Sequence, residues 1–277
     1  MSLNSPLKGS ILNDIHAVRC GQRWFIAKCG PSDAIKREAA VLNLLRQTNV
    51  PVPDSVLLPA TPAFPNDLLL LNRLPGHAAD PGGKVLFEAG KSLQRIHRIA
   101  LPGFGLIDAV KDRQPVGSHP SWTGFLYDVL KVARRSIPNV VIPLYVHRAM
   151  LEWLRHPRNC AHLARVEQGV LLHGDLMPKH IWDDGGRLAA LIDWGDAMVG
   201  DPHFDLARSS MAGQRPFPTL LNGYGLETPP PADLLAFYRA VWSLMALTVE
   251  CGAGGDWIDG YRSTIWRELA FMRTITI

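Results

Sequence analysis

The spacing of apolar and polar residues predicts strands near the start of the chain and helices over most of the rest. The runs HAVRC and RWFIAKC, joined at Gly21-Gln22, predict an antiparallel meander over residues 8–29. Pro31-Ser32-Asp33 is a helix-start signal for AIKREAAVLNLLRQ. The proline-punctuated stretch that follows predicts two short strands, of which DLLLLNRL is the stronger.

Leu74-Pro75-Gly76 interrupts this pattern, and helical spacing prevails from residue 84 onwards. The Gly- and Pro-rich stretch 101–122 is predicted to be a long loop. Helices are predicted at 84–99, 121–135, 143–165, 203–213, 231–250 and 256–273. The expected fold is therefore α+β with two lobes: residues 1–75 form a small antiparallel sheet with one main helix, and residues 76–277 form a larger, mostly helical lobe. Clefts between lobes commonly bind small molecules.

Composition narrows the classes of partner. The chain has 277 residues, a net charge of +4 and 29 basic residues that form no long run, which favours an anionic small ligand over nucleic acid. Its four cysteines form no CxxC pair. No run approaches 18 apolar residues and the first residues lack a signal-peptide core, so we expect a cytoplasmic protein without a membrane segment, either monomer or homodimer.

The segment LLHGDLMPKHIWDDGGRLAALIDWGD (171–196) places an aspartate after each of two apolar runs. HIWDD and LAALI predict a hairpin across Gly185-Gly186, and the loop 174–180 would then fold back to bring Asp175 towards Asp193. Two close carboxylates repel each other unless a cation joins them, and Mg²⁺ prefers oxygen ligands. A carboxylate that does not bind the metal can accept a proton from a hydroxyl group.

The predicted β-rich lobe offers the cation that phosphates would need. Lys28 ends the strand RWFIAK, and Glu38 lies ten residues later in the predicted helix, an arrangement that positions nucleotide phosphates in kinases. The loop GSILND (9–14), which includes Ser10, lies where a phosphate-covering turn is expected, although it is poor in glycine. Together these features indicate phosphoryl transfer.

These motifs resemble the aminoglycoside phosphotransferase (APH)-like family of small-molecule kinases, which has a protein-kinase-like fold. HGDLMPKHIW is similar to the family's HGDxxxxN loop, and LIDWGDAMVGDPHFDLA is similar to its IDfxxaxxGDPxxDLA stretch. The resemblance implies that Asp175 is the catalytic base, that Asp193 is a Mg²⁺ ligand, and that Lys28, held by Glu38, binds the phosphates.

The resemblance also implies a hinge at NRLPG (72–76), where backbone groups around Asn72 and Leu74 would bind adenine. One position departs from the family pattern, because His180 stands where Asn is usual. Imidazole is a softer ligand that Mg²⁺ accepts less readily, so His180 is either a metal ligand or a hydrogen-bonding loop residue. His at position 180 resembles the 2''-type branch of the family, whereas GFG (103–105), SW (121–122) and DWGDAMVGD resemble hygromycin-type phosphotransferases. The sequence does not rank these branches.

The predicted function is transfer of the γ-phosphate of ATP, or GTP, to a hydroxyl group of a small polar molecule. An aminoglycoside-type antibiotic is one candidate acceptor, and a resistance function would follow from it. Its ammonium groups would need carboxylates, and the helical lobe offers Glu227, Asp233, Glu250, Asp256, Asp259 and Glu268.

Two alternatives stay open. A zinc-dependent hydrolase would use His173, Asp175, His180 and Asp193, but it leaves Lys28 and Glu38 without a role. A non-catalytic, nucleotide-binding pseudo-kinase would explain the glycine-poor loop and His180.

Structural functions are expected for several neighbouring residues. His173 is expected to hold its loop, Asp201 to cap a helix or anchor a loop, and Asp205 to lie at a helix start. GKS at 90–92 is not a phosphate-binding loop because Val85 replaces the required glycine, so Gly90 is expected to permit close helix packing.

Overall fold

The computed structural model describes residues 2–7, 13–62, 65–111 and 114–275. Its first part is a five-stranded antiparallel sheet with the strand order β1-β2-β3-β5-β4. The strands are β1 (Ser2–Leu7), β2 (Asp14–Cys20), β3 (Arg23–Cys29), β4 (Ser55–Leu58) and β5 (Leu68–Asn72). The predicted meander is confirmed from Asp14 onwards, whereas residues 8–12 lie outside the described residues.

Helix α1 (Ser32–Leu45) connects β3 to β4 and contacts the sheet. Its apolar residues at helical spacing, Ile35, Val41, Leu42 and Leu45, are almost completely buried. The buried face also carries Glu38, whose polar side chain therefore needs a partner.

Two smaller sheets lie beyond residue 76. One contains β6 (His77–Ala78), β10 (Ile181–Asp184) and β11 (Arg187–Leu191), in the order β11-β10-β6. The other contains β7 (Phe104–Lys111), β8 (Gln114–His119), β9 (Val170–Leu172) and β12 (Met198–Gly200), in the order β8-β7-β12-β9. The predicted hairpin of HIWDD and LAALI is confirmed as β10 and β11.

The remaining elements are helical. They are α2 (Val85–Ile96), α3 (Trp122–Ser136), α4 (Leu144–Arg155), α5 (Pro157–Leu163), α6 (Pro202–Ser210), α7 (Pro216–Tyr224), α8 (Ala232–Ala253) and α9 (Ile258–Ile275). Helix α8 packs against α3, α6 and α9 and is the centre of this part. By length and hydropathy alone α8 could cross a membrane, but 67% of its apolar window is buried, as in the core helix of a globular domain.

The structure corrects the prediction that residues 101–122 form a long loop. Most of this stretch is the hairpin of β7 and β8, and β7 also pairs with β12 through Leu106 and Met198. The glycines and prolines that suggested a loop are tolerated because Gly103 and Gly105 adopt positive φ and the pairing is irregular. The predicted helix 143–165 is two helices, separated where Pro157 begins α5.

Close packing of α2 against α7 confirms the expectation for Gly90. A Cβ atom at Gly90 would lie 2.0 Å from the carbonyl oxygen of Leu220 in α7. Two helix backbones can approach this closely only where a side chain is missing.

Candidate active site

A buried lysine connects the five-stranded sheet to the second half of the chain. The Nζ atom of Lys28, on β3, is 2.6 Å from Glu38 Oε2 and 2.5 Å from Asp193 Oδ1. Burial lowers the pKa of Lys28, but the two carboxylates outweigh burial and raise that pKa above its ordinary value. Lys28 is therefore protonated at neutral pH, and its charge is held between α1 and the loop after β11.

Asp193 has a left-handed backbone conformation with a φ of 67°, which no other described non-glycine residue shares. Aspartate tolerates this conformation better than most residues, and such strained positions concentrate at functional sites. The loop is held by α1: Trp194 donates its backbone N–H to Glu38 Oε1 at 3.4 Å, and Arg37 donates to the carbonyl of Gly195 at 2.6 Å. Helix α1 thus positions both Lys28 and Asp193.

The HGD segment after β9 is anchored by one fully buried carboxylate. Asp205, on α6, accepts hydrogen bonds from the backbone N–H groups of His173 (2.7 Å) and Gly174 (2.8 Å). Its Oδ2 is also 3.1 Å from Nε2 of His97. Gly174 has a φ of 83°, and a Cβ atom there would lie 2.0 Å from the carbonyl oxygen of Asp196. Asp205 therefore has the structural function expected from the sequence.

Asp175 directly follows this anchored turn, and its two carboxylate oxygens differ in their surroundings. Oδ1 is 2.6 Å from both Nε and Nη2 of Arg208, on α6. Oδ2 has two ion-pair contacts, to Lys179 Nζ and His180 Nδ1, each at 3.7 Å. Arg208 thus holds one oxygen firmly while the other is left for a further partner.

Sequence reasoning missed Arg208 and its neighbour Trp242. The guanidinium carbon of Arg208 lies 3.7 Å from the centre of the Trp242 ring, and the Trp242 indole donates to the carbonyl of Gly174 at 2.7 Å. Arg208 had a usable signal, because it follows Asp205 by three residues and so lies on the same helix face. Trp242 had none, because its hydrogen-bond partner is 68 residues away in the sequence.

His180 connects the two loops that carry the aspartates. Its Nδ1 is 2.7 Å from the backbone oxygen of Asp175, and its Nε2 is 3.1 Å from Asp193 Oδ2. A carbonyl oxygen can only accept, so Nδ1 carries a hydrogen atom in this arrangement. Burial raises the pKa of Asp193, but the contacts with His180 and Lys28 outweigh burial and lower that pKa well below its ordinary value. Asp193 is therefore ionised at neutral pH.

The arrangement of His173 does not favour a zinc site made of His173, Asp175, His180 and Asp193. Nε2 of His173 is 3.0 Å from the carbonyl oxygen of Ile192, and its Nδ1 accepts from the backbone N–H of Asp175 at 3.3 Å. Both ring nitrogens are occupied, so His173 holds the loop, as expected. Burial, with a smaller contribution from His180, lowers the pKa of His173 to about 4, so the ring is neutral at neutral pH.

The predicted nucleotide-binding residues outside this cluster lie in two places. Asn72 ends β5, and its backbone N–H donates to the carbonyl of Asp54 at 2.9 Å. Leu74 follows β5, and its N–H takes no part in the hydrogen bonds among described residues. Ser10 lies outside the described residues.

A cavity of about 1150 Å³ opens beside Asp175 and Asp193. Much of its wall is apolar or aromatic, including Phe125 and Val129 of α3, Trp242 and Met245 of α8, and Tyr261 of α9. Asp175 and Arg208 line the same cavity as this wall.

The carboxylates proposed to bind an aminoglycoside are mostly not gathered at this cavity. Of the six, Glu250 and Asp256 line it, and Glu250 also accepts from the backbone N–H of Trp257 at 3.2 Å. Glu268 is buried in ion pairs with Arg239 (2.6 Å) and Arg267 (2.8 Å). Asp128 and Asp196, which the sequence did not single out, also line the cavity.

Comparison with known proteins gives a family and a fold. The family model described as the phosphotransferase enzyme family (APH) matches residues 8–235. No curated protein sequence matches the chain. Among solved structures, a thermostable mutant of aminoglycoside phosphotransferase APH(4)-Ia, in ternary complex with ADP and hygromycin B, has a TM-score of 0.72 and 16% identity, covering 96% of this chain and 94% of that one.

Two further structures agree. Another ternary complex of mutant APH(4)-Ia, with AMP-PNP and hygromycin B, has a TM-score of 0.72 and 17% identity, covering 96% of this chain and 95% of that one. Choline kinase LicA from Streptococcus pneumoniae has a TM-score of 0.70 and 18% identity, covering 98% of this chain and 94% of that one. The expected bilobal, protein-kinase-like α+β fold is confirmed, while the boundary near residue 75 stays a prediction.

Proposed function

Because the chain belongs to the phosphotransferase enzyme family, we propose that it transfers the γ-phosphate of ATP to a hydroxyl group of a small molecule. The observation that carries this proposal is the convergence of four residues from distant parts of the chain. Lys28 contacts both Glu38 and Asp193, and Asp175 lies on the same cavity as Asp193. A protonated lysine, an ionised carboxylate and a candidate base are the protein groups that phosphoryl transfer requires.

Each of these residues has a distinct part in the proposed reaction. Lys28 binds the phosphate oxygens, and the buried pair with Glu38 keeps its charge in place. Asp175 uses Oδ2 to orient the acceptor hydroxyl and accept its proton, because Oδ1 is occupied by Arg208. Positioning and charge stabilisation then account for most of the rate enhancement.

The residues present fit a magnesium ion at Asp193. Its ionised carboxylate is a hard oxygen ligand, and about a third (35%) of its side chain is exposed. A magnesium ion bound there would supply positive charge to the nucleotide phosphates. The contacts of His180 support a loop-holding function, because its Nδ1 is occupied by the Asp175 carbonyl and nitrogen is a poorer ligand for Mg²⁺.

Adenine is the proposed base of the nucleotide, bound by backbone groups near Asn72 and Leu74. The ADP and AMP-PNP in the two APH(4)-Ia complexes support ATP rather than GTP as the donor. The N–H of Leu74, which has no partner among the described residues, supports a hydrogen bond to the base.

The proposed acceptor is a hydroxylated molecule with an apolar face and a cationic or polar part. Its apolar face suits the aromatic wall, and carboxylates such as Asp128 and Asp256 suit a positive charge. Aminoglycosides belong to the candidates because APH(4)-Ia binds hygromycin B, and amino alcohols belong to them because LicA is a choline kinase. A resistance function remains an expectation tied to that choice, and a cytoplasmic location remains an expectation from the sequence.

The proposal is tested by acceptor-dependent ADP release across a panel of aminoglycosides, amino alcohols and sugars. Replacing the base in Asp175→Asn should lower turnover by roughly 10²–10⁴-fold while thermal stabilisation by ATP persists. Asp80→Asn, at an exposed carboxylate away from the cavity, is the matched control and should keep full turnover.

Two results would contradict the proposal. Equal turnover in Asp175→Asn and the unaltered protein would remove Asp175 from the reaction. Stabilisation by ATP without turnover on any acceptor would favour the pseudo-kinase.

A further inference from the structure

A second cluster of metal-ligating side chains lies where α5 approaches the start of α6. His162 is on α5, Asp201 is the N-cap of α6, and His203 is in its first turn. One potential ligand atom from each lies within 4.8 Å of the other two. None of the three lines the cavity beside Asp175, and the proposed phosphoryl transfer uses none of them.

The carboxylate of this cluster is buried without a strong cationic partner. Asp201 is only 3% exposed, and no lysine or arginine of the described residues forms an ion pair with it. Its ion-pair partner within the described part of the chain is His203, whose Nδ1 is 3.0 Å from Oδ1. A buried carboxylate is costly unless a cation compensates its charge.

The imidazole of His203 lies beside this carboxylate. Although Nδ1 is close to Asp201 Oδ1, it is buried and has no hydrogen-bond partner of acceptable geometry among described residues. Oδ1 instead accepts the backbone N–H of His203 at 3.0 Å. Nδ1 of His203 and Oδ1 of Asp201 therefore lie side by side without a hydrogen bond of good geometry between them, so that one metal ion can bind both atoms.

Further hydrogen bonds fix the orientation of the Asp201 carboxylate. The Tyr238 hydroxyl donates to Asp201 Oδ2 at 2.7 Å, and the Trp122 indole donates to the Tyr238 oxygen at 2.8 Å. Residues that hold the ligating groups in this way are a general feature of protein metal sites. Here they fix Oδ2, while Oδ1 lies beside Nδ1 of His203.

We propose that His162, Asp201 and His203 bind one zinc ion. Two imidazoles and one carboxylate suit Zn²⁺, and its bond lengths of about 2.0–2.2 Å require ligand atoms roughly 3.3 Å apart in a tetrahedral site. The separation of 3.0 Å between Nδ1 and Oδ1 is close to that spacing. His162 is partly exposed, so its ring can rotate to complete the site, and water takes the fourth position. The ion would join α5 to α6 and so stabilise the folded chain.

The test uses the full chain with any affinity tag removed, because tag histidines bind zinc. After chelator treatment and dialysis, Zn²⁺ is added against a chromophoric competitor, and metal content is measured by mass spectrometry. We expect one tight zinc ion per chain and a rise in Tm of roughly 5–10 °C at 100-fold excess over Kd. Cobalt in its place should give the visible absorption of a tetrahedral site.

Variants assign the ion to this cluster. His162→Ala and His203→Ala should each weaken zinc binding by more than about 100-fold, and Tyr238→Phe, which removes the supporting hydrogen bond, by roughly 10–100-fold. His156→Ala, at an exposed histidine just before α5, should bind zinc like the unaltered protein.

The side chain of the partly exposed His162 makes no hydrogen bond with the described residues, so its variant should fold normally, as circular dichroism can check. Unchanged zinc binding in a folded His162→Ala protein would overturn the proposal. So would an ion that is lost only in His180→Ala, since it would belong to the other site. Failure of the unaltered chain to bind zinc would overturn it as well, without bearing on phosphoryl transfer.

Discussion

The contact between Arg208 and Asp175 gives the sharpest prediction, because one substitution removes both contacts that hold Oδ1 of the proposed catalytic base. Replacing it in Arg208→Met preserves much of the side-chain volume and its apolar contact with Trp242, but removes the charge. Asp175, of which 8% is exposed, then loses both 2.6 Å contacts to Oδ1. Breaking a buried ion pair from one side costs about 3–5 kcal/mol, because the remaining charge has no compensation.

The assay is thermal unfolding followed by circular dichroism, together with tryptophan fluorescence. A loss of about 3–5 kcal/mol should lower Tm by roughly 6–20 °C for a chain of this size. Arg208→Lys keeps a charge but loses the planar double contact and the stacking on Trp242, so it should give an intermediate Tm. Arg148→Met, at an exposed arginine on α4, is the matched control and should leave Tm nearly unchanged.

A double-mutant cycle with Asp175→Asn separates the ion pair from general packing. The Tm lost in Asp175→Asn/Arg208→Met should be smaller than the sum of the two single losses, corresponding to a coupling of about 0.5–3 kcal/mol. Strict additivity, or an Arg208→Met protein as stable as the unaltered one, would refute the reasoning. Turnover, once an acceptor is known, should fall by about 100-fold in Arg208→Met because Asp175 loses its fixed position.

Three further predictions concern the loops and helices that support the site. His180→Asn should keep substantial Mg²⁺-dependent turnover, because Asn can still form hydrogen bonds between the two loops, whereas His180→Ala should lose at least about 10-fold. An equal loss of turnover in both variants would contradict this prediction. Gly90→Ala should lower Tm by several degrees, because its Cβ atom would overlap the backbone of α7. Gly82→Ala, where no atom of another part of the chain lies within 4 Å of the added Cβ, should leave Tm unchanged. Equal Tm values for the two variants would refute this explanation. Because burial lowers the pKa of His173 to about 4, the unfolded chain binds a proton before the folded one does, and the folded chain should lose up to about 3 kcal/mol of stability as pH falls from about 6.5 to about 4. Melting across this range should show the loss, and His173→Asn should be less pH-dependent.

Local patterns accounted for the first strands, for α1 and for the β10–β11 hairpin. Each is specified by the periodicity of a short segment and by the turn residues at its ends, such as Gly185-Gly186. The same reasoning failed at 101–122, where β7 pairs with its neighbour β8 and also with β12, almost a hundred residues later. A strand stabilised by a distant partner carries little of that information in its own sequence.

The sequence by itself determined which side chains were available for chemistry: Lys28, Glu38, Asp175 and Asp193 were all identified from strand ends, helix spacing and motif wording. Only the tertiary structure decided which of them touch, which oxygen of Asp175 stays open, and that Arg208 and Trp242 support it. The physical reason is distance along the chain. Lys28 and Asp193 are 165 residues apart, and their 2.5 Å contact depends on how α1 packs between a sheet and a loop, which no short stretch of residues specifies.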